Sequence, residues 1–213
     1  MFRREGGYAV EKRDLAKELG ELYSPPKDRF VLVDVPELSF LMVDGTGSPE
    51  TSPAFQEAIG ALYSVAYTLK FTFKKEHELD WKVMPLEGLF STDESGRLDL
   101  DGKGEWRWTL MLLQPDSVTK EDVARAAETA GRKKPLPGLK GLRFARFREG
   151  LSVQTLHVGP YAGERPTIEG LHAFIAEEGY QAAGRHHEIY QSDPTRTKPE
   201  RLRTLIRQPV KKA

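Results

Sequence analysis

Glutamate is almost never fully buried without a partner, and one glutamate of this chain stands in the middle of a segment that is apolar on both sides. In Asp80-Trp81-Lys82-Val83-Met84-Pro85-Leu86-Glu87-Gly88-Leu89-Phe90, the period of two in a strand puts Glu87 on one face with Val83 and Leu89. Met84, Leu86 and Phe90 take the other face. A strand apolar on both faces is covered on both faces. Glu87 therefore has either an internal partner or a task. About a hundred residues later a second glutamate returns in a similar setting, His186-His187-Glu188-Ile189-Tyr190.

The order of elements around these two glutamates also repeats. A strand, a glycine turn, a capped helix, a strand with a central glutamate, a polar connection and a strand follow one another over about 38–113 and again over about 151–210. Two such halves can pair their sheets about a pseudo-twofold axis. Helices would lie on one side and a cleft on the other, with one carboxylate from each half facing it, and clefts of this kind favour ligands. The expected fold class is α+β, with antiparallel sheets built from a duplicated strand–helix–strand–strand module. The expected organisation is a single domain over 1–213: an N-terminal helix over 9–22, a first repeat over about 30–116, a helix and linker over about 119–141, and a second repeat over about 142–210.

Local signals fill in this scheme. Leu15, Leu19 and Leu22 recur at helical spacing, and Pro25-Pro26 ends that helix. Phe30–Val35 and Leu38–Asp44 read as two strands joined by a Pro36-Glu37 turn, followed by a glycine-rich turn over 44–49. Ser52 and Pro53 open a helix whose face carries Phe55, Ile59, Leu62, Tyr63 and Tyr67, and Lys70–Leu79 reads as loop or strand edge. Glu105–Leu113 is a strong strand in which Trp106 and Trp108 share a face, either as a core pair or as a stacking surface. Thr119 to Asp122 has the form of a capping box, with a helix running to about Ala130 and closed by Gly131. Thr167 is expected to cap the helix that carries Ile168, Leu171, Phe174 and Ile175. His186 and His187, being adjacent on a strand, point to opposite faces, so no metal site is expected.

Charge and composition exclude several classes. The chain has 32 Lys+Arg and 32 Asp+Glu, which argues against a general nucleic-acid or membrane-surface role. It has no cysteine, hence no disulfide or thiolate metal site. No window approaches the roughly 18 apolar residues of a membrane span, and residues 1–7 lack the apolar run of a signal peptide. A cytoplasmic protein is expected, without cofactor, nucleic-acid partner or membrane contact, as a monomer or weak homodimer.

Three stretches carry a family resemblance. Met84-Pro85-Leu86-Glu87-Gly88-Leu89-Phe90, the Trp106-x-Trp108 strand with Gln114-Pro115-Asp116, and His187-Glu188-Ile189-Tyr190-Gln191-Ser192-Asp193-Pro194 resemble stand-alone GyrI-like proteins over nearly the whole chain. The resemblance implies the duplicated strand–helix–strand–strand fold and an acidic, aromatic pocket for lipophilic cations. It does not carry over the regulator role of some members, because no DNA-reading segment is seen. Some stand-alone members are cyclopropanoid cyclopropyl hydrolases, which detoxify DNA-alkylating natural products by adding water to a strained ring. By motif position, Glu188 matches the family's pocket glutamate and Glu87 its counterpart in the first half. Trp106, Trp108, Tyr161 and Tyr190 would form the aromatic wall, with Phe90 and Tyr67 as further lining. The chain departs from the pattern at Phe90-Ser91, where related sequences often continue with another aromatic.

The chemistry so implied needs a base for the attacking water and stabilisation of the charge that develops on a conjugated carbonyl. A carboxylate in an apolar setting has a raised pKa, and two in one cleft are pushed apart, so that Glu188 would act as base and Glu87 as acid or positioning group. Hydrophobic or cationic aromatic small molecules are the expected partners. The competing readings are sequestration of lipophilic cations without chemistry, for which acids and aromatics serve equally well, and a gyrase-modulating interaction protein. Against all of these stands a structural role, each glutamate paired internally with a donor such as Arg107, Arg185 or Arg207.

Overall fold

The computed structural model describes residues 10–93, 96, 98, 99, 101 and 104–213. Six residues of the polar connection after the Glu87 strand, 94, 95, 97, 100, 102 and 103, lie outside the described residues. In chain order the elements are β1 (Glu11–Arg13), α1 (Leu15–Glu18), β2 (Val31–Thr46), α2 (Pro53–Glu76), β3 (Leu79–Trp81), β4 (Leu86–Ser91), β5 (Arg107–Gln114), α3 (Lys120–Lys133), β6 (Arg143–Val158), α4 (Arg165–Glu177), β7 (Tyr180–Ala182), β8 (His186–Tyr190) and β9 (Arg203–Lys212). Six strands close on themselves in the order β6-β2-β5-β4-β8-β9, with β9 pairing back onto β6, and every one of these pairings is antiparallel. The result is a mixed helix and strand fold around one barrel-like sheet. Two separate sheets meeting at a cleft, as the sequence suggested, are not what forms.

Several elements differ from their sequence signals for identifiable reasons. The two expected strands around Pro36 are one 16-residue strand. Pro36 is tolerated because β5 pairs with β2 only from Ser39 onward, so one edge of β2 is open at the proline. The segment Asp80–Phe90 is instead two strands. β3 pairs in parallel with β1, and β4 begins only after Pro85. The expected N-terminal helix is a short strand, a one-turn helix capped by Asp14 and a 3-10 turn at Gly20–Leu22. Helix α2 continues through the polar run to Glu76, because Leu69 and Phe73 prolong its buried face and Phe73 packs edge-on against Trp81. The Thr119 capping box forms as read, but α3 runs through Gly131 to Lys133. Helix α4 starts earlier than Thr167: Glu164 is its N-cap, and Pro166 lies in its first turn.

The two faces of the closed sheet are distinguished by what they touch. Phe55 of α2 packs on Phe90 of β4 and on Trp108 of β5, so those side chains point outward. Val153 of β6 and Val210 of β9 pack with Leu171 and Ile175, placing α4 on the outer face as well. The alternate residues point into the barrel, where Glu87 of β4, His187 of β8 and Glu149 of β6 meet across the lumen. In register, Glu87 lies opposite Ile189 and Gly88 lies opposite Glu188. Neighbouring rungs of a ladder present opposite faces. Glu87 therefore faces the interior and Glu188 the exterior, and the expected shared cleft for the two carboxylates does not exist. The helices and the Glu188 face are also on the same side of the sheet rather than on opposite sides.

Candidate functional site

Glu87 is completely buried. Its Oε1 accepts a hydrogen bond of 2.6 Å from the Tyr23 hydroxyl, and its Oε2 lies 3.1 Å from His187 Nε2 in a charge contact rather than an aligned hydrogen bond. His187 Nδ1 is 2.9 Å from Glu149 Oε1, and Arg207 donates to Glu149 Oε2 (2.9 Å), to Gln154 and to the Leu22 carbonyl. Burial opposes the charge on His187, but Glu149 and Glu87 outweigh it and raise the imidazole to about 9. Burial likewise opposes the charge on Glu149, and His187 and Arg207 together hold it down to about 2. Two acids and two bases thus lock the strands around the lumen. Of the arginines suggested by sequence as partners, only Arg207 joins this network, and it pairs with Glu149 rather than with Glu87 or Glu188.

Glu188 has a different environment. It sits on the outer face of β8, with its side chain 16% exposed. The Tyr190 hydroxyl donates to its Oε2 at 2.8 Å, and His186 Nε2 lies 3.2 Å from its Oε1. The rings of Tyr190 and Tyr161 meet edge to face at 5.6 Å, and Tyr161 remains largely exposed. Gly88, on the rung opposite Glu188, has no side chain to fill the space beside the carboxylate. A Cβ there would come within 2.5 Å of the Phe90 ring. Burial by itself would raise the Glu188 carboxyl. Hydrogen bonding and charge from His186, with help from Tyr190 and His187, outweigh it and hold the group below the ordinary carboxylate value. This reverses the raised pKa expected from its apolar sequence neighbours.

A second acid, Glu164 at the start of α4, lies near enough to feel the charge of Glu188. Glu164 is 5% exposed, lies beside the Thr204 hydroxyl, and its Oε1 is buried without a hydrogen-bond partner. Burial, and then the negative charge of Glu188, push it up to about 8. The helix N-terminus favours its ionised form by about 0.3–1 kcal/mol. That is less than the roughly 1.4 kcal/mol of one pKa unit, so burial and the neighbouring charge win. The pair of unlike carboxyls anticipated for Glu87 and Glu188 is thus made by Glu164 and Glu188. Sequence reasoning missed Glu164, although Pro166 is a signal that the helix begins before Thr167.

The expected aromatic wall separates into parts. Tyr161 and Tyr190 stand at Glu188. Phe90 and Trp108 are both 2% exposed and belong to the core under Phe55. The Trp108 indole donates to the Gly47 carbonyl, and its ring lies over Gly45, where a Cβ would be 2.1 Å away. Trp108 is therefore a packing residue rather than a stacking surface. Trp106 is half-buried and meets Phe90 edge-on at 6.1 Å, at the border of the same outer face. Tyr67 lines a groove of about 520 Å³ between α2 and α3 together with Phe71, stacks on Phe71 and meets the Tyr63 ring at a tilt. His186 and His187 point to opposite faces, and among the described residues no group of three or more His, Asp or Glu is arranged to hold a metal ion. Among the described residues, no helix is long and apolar enough to cross a membrane.

Residues 29–211 match the GyrI-like small molecule binding domain. An uncharacterized conserved protein from Listeria innocua is 39% identical, with a TM-score of 0.84 over 93% of this chain and 99% of its own. A hydrolase from Listeria innocua is 38% identical, with a TM-score of 0.80 over 93% of this chain and 99% of its own. The EcmrR C-terminal domain, 14% identical with a TM-score of 0.53 over 87% of this chain and 98% of its own, shares the fold alone. No curated protein matches. With the match extending over nearly all of the closed sheet and over helices α2, α3 and α4, the chain belongs to the GyrI-like family of small-molecule-binding domains.

Proposed function

We propose that the chain binds planar, hydrophobic or cationic small molecules at Glu188, on the outer face of the closed sheet, and that it hydrolyses reactive ones by adding water to a strained ring. The observation that carries this reading is Glu188 itself. It is an ionised, partly exposed carboxylate, held in place by His186 and Tyr190 and walled by Tyr161. Aromatic rings beside a fixed negative charge favour a flat, electron-poor or positively charged ligand. For the chemical step, Glu188 orients a water and takes its proton as the oxygen attacks a ring carbon. Its lowered pKa weakens it as a base but keeps it ionised, and positioning supplies the rest. The 38% identity to a hydrolase supports the enzymatic part. Detoxification of cyclopropane-bearing alkylating agents is the task this chemistry would serve.

The order strand–helix–strand–strand in β2-α2-β4-β5 and again in β6-α4-β8-β9 supports an internal duplication about a pseudo-twofold axis. In this reading the second copy keeps the ligand-facing acid and the first copy's glutamate has become part of the barrel interior. The direct test compares wild type with Glu188→Gln. Turnover of an activated cyclopropane should fall by about two orders of magnitude or more on loss of the base, with protein stability retained. Unchanged turnover in the variant would reject the hydrolytic role. Unchanged affinity for a delocalised cation would reject the site.

A further inference from the structure

Tyr63, Tyr67, Phe71 and Lys75 follow one another at a spacing of four in α2, and so lie along one stripe of that helix. Tyr63 is half-buried, but Tyr67 is 46% exposed and Phe71 60% exposed. Their rings form a ladder with centroids 6.3 Å and 6.2 Å apart, close to the roughly 6 Å rise of four helical residues. The packing of α2 does not call for these rings, because Leu69 and Phe73 carry its buried face at this end. Contiguous exposed apolar surface commonly marks a binding site. Here the ladder forms one wall of the groove of about 520 Å³, and the C-terminal end of α3, with Ala130, Lys133 and Lys134, forms the other.

The charges on this groove are one-sided. Lys74 and Arg132, next to it in sequence, are tied to Asp80 and Glu128. Lys75, Lys133 and Lys134 line it, and among the described residues they have no ion pair. Glu76 is the one carboxylate in the lining. Helices α2 and α3 both end here, and each C-terminus carries about half a negative charge. Three lysines outweigh the glutamate and the two helix ends, and leave the rim about one charge positive. Thr72 and Thr129 add hydroxyl groups to the lining.

We infer that this groove is a second binding site, for planar aromatic acids: the ring system lies against Tyr67 and Phe71, and the carboxylate or sulfonate is held by Lys75, Lys133 and Lys134. Its volume falls within the range of about 300–1,000 Å³ typical of small-molecule sites. It shares no lining residue with the Glu188 site and selects the opposite charge. A second copy of the chain fits poorly, since a symmetric contact through this face would set lysines of the two copies against each other. An acidic protein helix fits poorly as well. The trough takes in more than three turns of α2 but fewer than two of α3, and a helix that short is marginal by itself.

Three probes with one ring system separate charge from ring: 1-pyrenebutyrate, 1-pyrenebutanol and pyrenylbutyl-trimethylammonium. Binding is followed by the pyrene emission spectrum at neutral pH in wild type, the double variant Lys133→Glu/Lys134→Glu, Phe71→Ser and Glu188→Gln. The substituted groove residues are exposed, so their variants should melt as wild type does. Wild type should bind the butyrate about threefold or more tighter than the alcohol, and added salt should erode that difference. The lysine reversal should abolish it. Phe71→Ser should weaken the butyrate by about threefold or more. Glu188→Gln should leave butyrate affinity unchanged and lower affinity only for the trimethylammonium probe, so that failure at either site is read separately. Equal affinity of wild type for butyrate and alcohol, a preference that survives the lysine reversal, or a Phe71→Ser protein that binds the butyrate as wild type does overturns the inference. A wild-type dimer in sedimentation that Phe71→Ser dissociates assigns the groove to a second copy instead. Poly-L-glutamate binding through the same lysines, with pyrenebutyrate not bound, assigns it to an acidic protein segment, and in either case the inference falls.

Discussion

His187 is held in its charged form by Glu149 and Glu87, and Glu149 in its charged form by His187 and Arg207, so their effect on stability depends on pH in a way that can be worked out. His187 is raised to about 9 in the fold. Its contribution is fully present below the unfolded value of about 6.5 and is lost as pH rises through 9. Glu149 is lowered to about 2, so its contribution is present above about 4.3 and is lost as pH falls through 2. The interior network should therefore be at full strength between about pH 4.3 and 6.5. Glu164 acts in the opposite sense. Its raised pKa makes folding less favourable as pH climbs from the ordinary carboxylate range towards 8. Thermal unfolding of Glu164→Gln against pH should lack this downward slope while keeping the decline centred on His187. Replacing Arg207 by Met removes one partner from a buried pair and should cost about 3–5 kcal/mol in urea denaturation. None of this pairing could be read from sequence, because His187 and Glu149 become neighbours of Glu87 only through the strand register.

At the scale of elements, local chemistry was legible where the signal was local. The Thr119–Asp122 capping box forms with both reciprocal hydrogen bonds. Thr119→Ala should accordingly lower stability by about 1 kcal/mol, measurable by the denaturation midpoint of the whole protein. Elements set by tertiary contacts were read less well. The Lys70–Glu76 stretch is polar by count, yet Phe73 lies one turn beyond Leu69 and packs on Trp81, so the helix continues. Trp106 and Trp108 share a periodicity but not a role, because only Trp108 has a glycine beneath it. Gly45→Ala would drive a Cβ into the Trp108 ring, and neither the ring nor strand β2 can yield freely under Phe55. The expected loss is about 1–3 kcal/mol, seen as a lower urea midpoint. Glu188, on β8 beyond β4 in the sheet order, should bind ligand as before.

The closed sheet gives the molecule two polar centres separated by one strand thickness, and the sequence could not distinguish them. Period two says which residues of one strand share a face. It does not say how that strand is registered against its neighbour. Glu87 and Glu188 occupy equivalent places in two similar motifs, and the motifs lie on adjacent strands, yet the glutamates fall on consecutive rungs and so point to opposite faces. One holds the barrel together from within, and the other is available to a ligand from outside. This division predicts that the two carboxylates can be separated by experiment. Glu87→Gln weakens the contact with His187 and the bond from Tyr23, and should lower stability by about 1–3 kcal/mol with ligand affinity unchanged in protein that remains folded. Glu188→Gln should leave the unfolding midpoint close to wild type and abolish the preference for cations. Because the two side chains share no partner apart from the charge of His187, their effects on stability should add in the double variant to within about 0.5 kcal/mol. Coupling well above that value would mean that ligand-facing and interior charges respond to one another through His187, and the division into two independent centres would have to be abandoned.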